Sequence, residues 1–406
     1  MGAEPSPFLH PFTRPAAADF IRIVRGKGAV VWDDAGQRYV DAMASLWYCN
    51  VGHGRAEVAD AIAVQARTLA AYHCFERFTN DPAEELAARL ASIAPVERSR
   101  VFFTSGGSEA IDTALKLARL AHALAGRPER TLAISRESAY HGVAYGGTSL
   151  TGLPLNRADF GPGVGDVVRV PKDDLAGVQA VFEAHPGRVA AVFAEPVIGA
   201  GGVHPPAPGY LEGLRALCDT HGAYLVLDEV ICGFGRLGAW WGAQRYGVRP
   251  DLVVFAKAVT SGYLPLGGVV LAPTVHEVLS ADPGFVLRHG YTYSGHPTAC
   301  AAALACLDIT EREGLLERAR AIGDRLAAGL GTLREAGLVD VVRGDGAIWA
   351  VDLADGRDPV AVRDAMLTGG VIVRPIAPST LAMCPPLVIE DADIDAIVST
   401  MRAALS

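Results

Sequence analysis

From about residue 55 to residue 256 the chain alternates short apolar, β-rich runs with amphipathic helical stretches, and few architectures accept that order. Strand character is expected at Arg100–Phe103, Thr131–Ile134, Asp166–Val170, Val189–Ala194, Tyr224–Leu227 and Leu252–Ala256. Helical periodicity fills Glu57–Ala71, Ala83–Ile93, Ser108–Ala125, Leu175–Ala184 and Tyr210–Thr220. In the third of these, Ile111, Ala114, Leu115, Ala118 and Ala121 share one face, and Asp112, Lys116 and Arg119 the other. Continuously apolar strands separated by helices imply a mostly parallel sheet covered on both faces, an α/β fold. After residue 296 the texture changes. A long helical stretch from Pro297 through Glu313 to Ala336 precedes strands at Leu338–Val342, Ala347–Leu353 and Val371–Arg374 and helices at Pro359–Thr368 and Asp391–Leu405. This reads as a smaller α+β unit.

A net charge of −9 over 406 residues argues against a phosphate-backbone binder, so no nucleic-acid partner is expected. The uncharged stretch from Ala258 to Val275 contains Gly262, Pro265, Gly267, Gly268 and Pro273, which suits turns and short buried strands better than a membrane helix. The opening Met-Gly-Ala-Glu-Pro-Ser-Pro has neither the basic nor the apolar region of a secretory signal. Seven scattered cysteines without a C-x-x-C pair fit a reducing cytoplasm and no zinc site.

Lysine is scarce: only Lys27, Lys116, Lys172 and Lys257 occur, so any lysine chemistry has four candidates. Lys27 lies between two glycines in a turn before the hairpin Val30–Asp33/Arg38–Val40, Lys116 stands i,i+4 from Asp112, and Lys172 precedes two aspartates at a helix start. These three read as solvated. Lys257 follows the buried run Leu252–Ala256, at the carboxyl edge where open α/β sheets bind ligands. Burial there favours the neutral, nucleophilic amine, although a snorkelling or ion-paired lysine fits the same position. Asp228 and Glu229 close another apolar strand and call for a cation, since acids are rarely buried unpaired. Gly233-Phe-Gly-Arg-Leu-Gly238 matches a dinucleotide fingerprint, but three residues separate it from the strand's acids and the following Ala-Trp-Trp-Gly-Ala-Gln gives weak support for a helix, so it reads as a tight turn. Thr104-Ser-Gly-Gly-Ser-Glu-Ala110 joins a strand to a helix N-terminus and suits a phosphate. Phosphate site, acid and lysine together match the needs of pyridoxal phosphate.

These residues stand in motifs that resemble the class III aminotransferases of pyridoxal-phosphate fold type I, closest to the omega-amino acid/amine:pyruvate group. The motifs are Asp41-Ala-Met-Ala-Ser-Leu-Trp47, Ser105-Gly-Gly-Ser-Glu-Ala110, Tyr140-His-Gly142, Glu195-Pro-Val-Ile-Gly-Ala-Gly-Gly202, Asp228-Glu-Val-Ile-Cys-Gly-Phe-Gly-Arg236, Lys257 and Gly290-Tyr-Thr-Tyr-Ser-Gly-His-Pro297. The resemblance implies a large cofactor domain at residues 52–295 and a small domain assembled from 1–51 and 296–406. It implies a Lys257 aldimine, Asp228 at the pyridine nitrogen, Tyr140 and Val230 on the two ring faces, Gly107 and Ser108 at the phosphate, and Glu195 near the hydroxyl side. Thr292 is implied to reach the neighbouring subunit's phosphate in a homodimer, with a tetramer as the alternative. Trp47 and Phe75 match aromatic pocket positions, though alone they read as core. Arg374 matches a mobile arginine that binds a substrate carboxylate, against a strand-end salt bridge on position alone. Gly106 departs from the pattern, which usually has serine there. The implied activity is ping-pong transfer from an amine or omega-amino acid to a keto acid, with pyruvate expected. A racemase, aminomutase or decarboxylase on the same cofactor, or an inactive binding protein, are the alternatives.

Overall fold

The computed structural model describes residues 6–406; the Met1–Pro5 start of the segment read above as lacking a signal pattern lies outside the described residues. Its centre is a seven-stranded sheet in the order Arg100–Thr104, Gly267–Leu271, Leu252–Phe255, Tyr224–Asp228, Val189–Ala194, Leu132–Arg136, Val167–Val170. The last five run parallel, and only Gly267–Leu271 opposes its neighbours on both sides. That antiparallel strand is the buried part of the uncharged Ala258–Val275 stretch. Among the described residues no helix is long and apolar enough to cross a membrane.

Strand pleating divides the core in two. Ala133, Ala191, Phe193, Val226 and Val254 face the apolar stripe of helix Gly107–Leu124, where Ile111, Ala114, Leu115 and Ala118 are buried. Their neighbours Ile134, Val192, Leu225, Leu227, Val253 and Phe255 pack on the other face with Leu211, Leu214 and Trp241. Both faces of the sheet are therefore covered, as near-continuous apolar runs require.

Two four-stranded sheets complete the fold. In one, Ile23–Lys27, Val30–Asp33 and Arg38–Asp41 form a meander, and Val371–Ile372 from the far end of the chain pairs in parallel with Val40 and Asp41. Lys27 is therefore the last residue of a strand, paired with Val30, and not part of a turn. The other sheet is ordered Val339–Asp345, Ile348–Leu353, Thr380–Met383, Arg374–Ile376. The expected strand Val371–Arg374 is thus two strands in two sheets, because Pro375 cannot donate to a ladder and holds Arg374 extended as the chain crosses over. The helical stretch after Pro297 breaks at Gly314 (φ 63°) into Pro297–Arg312 and Leu315–Glu335. Leu326, Leu330, Ile394, Ile397 and Met401 of the long helices join Val351, Leu381 and Val40 in one core.

Candidate active site

Parallel strands that end together bring their next residues together. Asp228 closes Tyr224–Asp228, Glu195 follows Val189–Ala194, Lys257 follows Leu252–Phe255 by two residues, and helix Gly107–Leu124 points its N-terminus at the same edge. Gly107, Ser108, Tyr140, Glu195, Asp228, Val230 and Lys257, separated by up to 150 positions in the chain, line a single cavity of about 140 Å³. A larger groove of about 600 Å³ holds Arg98, Arg215 and Asp251, but Arg98 and Arg215 are already paired with Glu277 and Asp251.

Lys257 sits at φ 50°, a left-handed conformation that costs a non-glycine residue about 1 kcal/mol and that clusters at functional sites. Its ammonium has no hydrogen bond or salt bridge among the described residues, and its surface opens into the cavity. Burial pulls its pKa down from the ordinary lysine value, against the opposing charges of Asp228 and Glu195. Lys116 pairs with His289 Nδ1 at 3.0 Å instead of Asp112, whose Oδ1 is taken by the Gly147 N–H at 2.9 Å.

Asp228 is 4% exposed, and the partner beside it is a histidine in place of the expected lysine or arginine. His141 Nδ1 stands 2.8 Å from Asp228 Oδ2, while the Val230 N–H donates to Oδ1 at 3.1 Å. An ionised carboxylate only accepts, so Nδ1 carries the proton. His141 is fully buried and its Nε2 has no partner. Sequence reasoning quoted this residue only as the middle of Tyr140-His-Gly142, and that motif was the available signal. Glu229, the other acid, points away: it accepts the N–H groups of Gly242 and Ala243 at 2.8 and 2.6 Å, and burial raises its pKa to about 7. Glu195 accepts from Tyr140 N and Gly199 N at 3.0 and 2.9 Å; burial raises its pKa. Burial likewise raises the Tyr140 phenol.

At the helix start, Ser108 Oγ accepts the Val143 N–H at 3.0 Å and keeps its own proton to donate. A Cβ on Gly107 would lie 3.3 Å from both Val230 methyls, whereas one on Gly106 would meet nothing within 4 Å. Open space over a helix N-terminus, an acceptor-only carboxylate and an unpartnered lysine fit the phosphate, ring nitrogen and aldehyde of pyridoxal phosphate. The turn Gly233–Gly238 is followed, after three residues, only by the four-residue helix Gly242–Arg245, and its Arg236 points into the protein.

Four expected site residues lie outside this cavity. Trp47 is 2% exposed and packs with Ile231, the neighbour of Val230. Phe75 is 42% exposed and its ring lies over Gly290. Thr292 is exposed on the loop between Gly290 and Gly295. Arg374 is half-buried with no acid in salt-bridge range among the described residues, and its charge bears on both Tyr140 and Lys257.

Residues 13–405 match the family model of the class III aminotransferases. The omega-aminotransferase of Caulobacter vibrioides is 37% identical over 90% of this chain and 89% of its own length. The putrescine–pyruvate aminotransferase of Pseudomonas aeruginosa is 36% identical over 94% of this chain and 90% of its own. Among solved structures, a PLP-bound amine transaminase from an uncultivated Pseudomonas species superposes with a TM-score of 0.94 at 37% identity, covering 98% of both chains.

Proposed function

The chain belongs to the class III aminotransferases, pyridoxal-phosphate enzymes of fold type I, and from that premise we propose that it moves the amino group of an amine or omega-amino acid to pyruvate in two half-reactions. The observation that carries this reading is the unpartnered Lys257, its proton affinity lowered by burial, in one cavity with Asp228. Bound pyridoxal phosphate supplies the electron sink for the carbon that loses its proton. Lys257 Nζ would hold the cofactor at its aldehyde and, whenever it stands free as a neutral amine, would be the base that carries the proton. Asp228, oriented by His141 and the Val230 amide, would keep a proton on the ring nitrogen. Tyr140 and Val230 would flank the ring, the Gly107 amide and Ser108 hydroxyl would hold the phosphate, and Glu195 would lie toward the hydroxyl side. Arg374, free of an acid of its own, binds the carboxylate of the keto acid. Trp47 and Phe75 bound the substrate.

The same reading makes the enzyme a homodimer in which Thr292 serves the neighbouring site. Tyr72, Phe75, Phe78 and Tyr293 are between 42% and 62% exposed, an apolar cluster that a second copy would cover. It also divides the chain into a cofactor domain at 52–295 and a small domain from both ends, supported by the pairing of Val371 with Val40. All seven cysteines are unpaired, which suits the cytoplasm.

Purified protein should turn yellow with pyridoxal phosphate and yield a borohydride-fixed adduct on Lys257. Lys257→Ala should lower turnover by about 10³-fold or more. A protein that stays colourless and unlabelled sinks the proposal. Amine consumption that proceeds without any keto acid would point instead to a racemase, mutase or decarboxylase.

A further inference from the structure

A loop that serves a neighbouring subunit must be held in shape from its own side. Thr292 is exposed and lies in no strand or helix, yet the loop around it is pinned at both ends. On one side stands His289. Its ring stacks on Phe102 of strand Arg100–Thr104, with centroids 5.2 Å apart and planes 2° from parallel. Its Nε2 is 2.9 Å from Thr113 Oγ1 and its Nδ1 3.0 Å from Lys116 Nζ, both on helix Gly107–Leu124. A lysine ammonium can only donate, so Nδ1 accepts and the single ring proton is donated from Nε2 to Thr113. On the same side the Tyr291 hydroxyl donates to the Glu109 carbonyl at 3.2 Å, and beyond Thr292 Ser294 Oγ donates to the Phe103 carbonyl at 2.6 Å while accepting the Tyr291 N–H.

All these anchors belong to one strand–helix unit, the one whose first turn carries Gly107 and Ser108 at the cavity. A single rigid helix therefore faces its own phosphate end and braces the loop offered outward. The chemistry of position 289 is specific. A phenyl ring would keep the stack but leave Lys116 without this acceptor and Thr113 with only the Tyr291 hydroxyl at 3.4 Å, and a lysine or arginine could not accept from Lys116.

We propose that His289 is a positioning residue that holds Thr292 for the phosphate end of a second copy's cofactor site, so that its loss is felt in the neighbour's site and not in its own. The inference rests on the homodimer reading above. Hybrid dimers assembled from differently tagged copies test it, because Lys257→Ala leaves one working site whose lysine and whose loop come from known copies. In the first hybrid, a Lys257→Ala copy is paired with a His289→Phe copy, and the working site receives an intact loop. In the second, a wild-type copy is paired with a Lys257→Ala/His289→Phe copy, and the working site receives the altered loop. The second should hold pyridoxal phosphate about tenfold more weakly, from fluorescence titration, while the first matches a hybrid carrying Lys257→Ala alone. Weakening confined to the first hybrid, or equal in both, overturns the proposal, as does an active monomer. Should His289→Phe not fold, Lys116→Met and Thr113→Val each remove one arm in the same design, with about threefold expected of each. Wild-type protein that binds no pyridoxal phosphate fails the functional reading itself, a result distinct from a holoenzyme whose hybrids behave alike.

Discussion

At Gly106 the backbone is extended (φ 179°), a conformation open to any residue, and a side chain would meet nothing within 4 Å. The glycine is therefore not demanded by the fold, unlike Gly107, whose Cβ would press on Val230. Gly106→Ser adds a hydroxyl beside the helix N-terminus, and one more donor should tighten pyridoxal phosphate about three- to tenfold with turnover little changed. An unchanged affinity in a cofactor titration would mean that the new hydroxyl faces away. Arg374→Ala should raise the KM for pyruvate roughly ten- to a hundredfold and leave that for a simple amine nearly untouched, since only the acid carries a carboxylate. Equal effects on both substrates would count against the role. Legibility at this scale followed local contrast. Lys257 and Asp228 stand out because a charge ends an apolar run, whereas His141 has no such contrast and meets its partner 87 positions away.

The element that ties the site to the rest of the chain is the turn running from Val230 to Gly238. Arg236 is fully buried without an acid in salt-bridge range among the described residues. Its Nη1 donates to the carbonyls of Ala347 and Pro385 at 3.0 and 2.6 Å, and Nη2 to Asn50 Oδ1 at 2.6 Å. Asn50 returns a bond from Nδ2 to the Phe234 carbonyl at 2.9 Å. One planar fork thus joins the wall of the cavity to the amino-terminal segment and to the ends of the two inner strands of the carboxyl-terminal sheet. Lysine cannot reproduce that fork, so Arg236→Lys should cost on the order of 3 kcal/mol through buried acceptors left unpaired. Thermal melting of the holoenzyme measures this, and a variant that melts with wild type refutes the argument. The glycine pattern around Arg236 was readable as a turn because the strand's acids stop three residues short of it. Other elements were hidden for physical reasons. Ile23–Lys27 is mostly exposed and has no apolar alternation, Gly267–Leu271 lies among glycines and prolines, and the sheet change at Val373 depends on pairing that no local pattern encodes.

For the molecule as a whole, buried titratable groups set how stability varies with pH. Burial holds His122 and His204 neutral, with pKa values lowered to about 4 from the ordinary 6.5. The unfolded chain takes up those protons first, so their contribution is lost as pH falls from about 6.5 toward 4. Glu229 acts oppositely: with a folded pKa of about 7 against an ordinary 4.5, its contribution grows over the same descent. Glu195, also raised, acts with Glu229, and His289, also lowered, acts with the two histidines, so three histidines against two carboxyls leave a net loss on the acid side. In alkali the balance turns on His53. Burial alone would lower its pKa, but hydrogen bonding to Asp41 at 2.8 Å and to the neighbouring Cys49 raises it to about 10. A raised histidine contributes fully below pH 6.5 and loses its contribution as pH climbs through 10. Buried thiols add to the decline above pH 9, since Cys300 and Cys384 are raised to about 12 and 11. Stability should therefore be greatest near pH 6 to 7. His53 is well placed to matter. Asp41 also accepts the N–H groups of Met43 and Ser45, and so holds the segment in which Ala44, Ser45 and Trp47 all have positive φ. His53→Gln keeps a donor toward Asp41 but has no charge to lose. Its Tm should lie below that of wild type at pH 7 and fall less steeply between pH 8 and 10, so that the two curves converge. Curves that descend in parallel over that interval would place the alkaline transition on other groups.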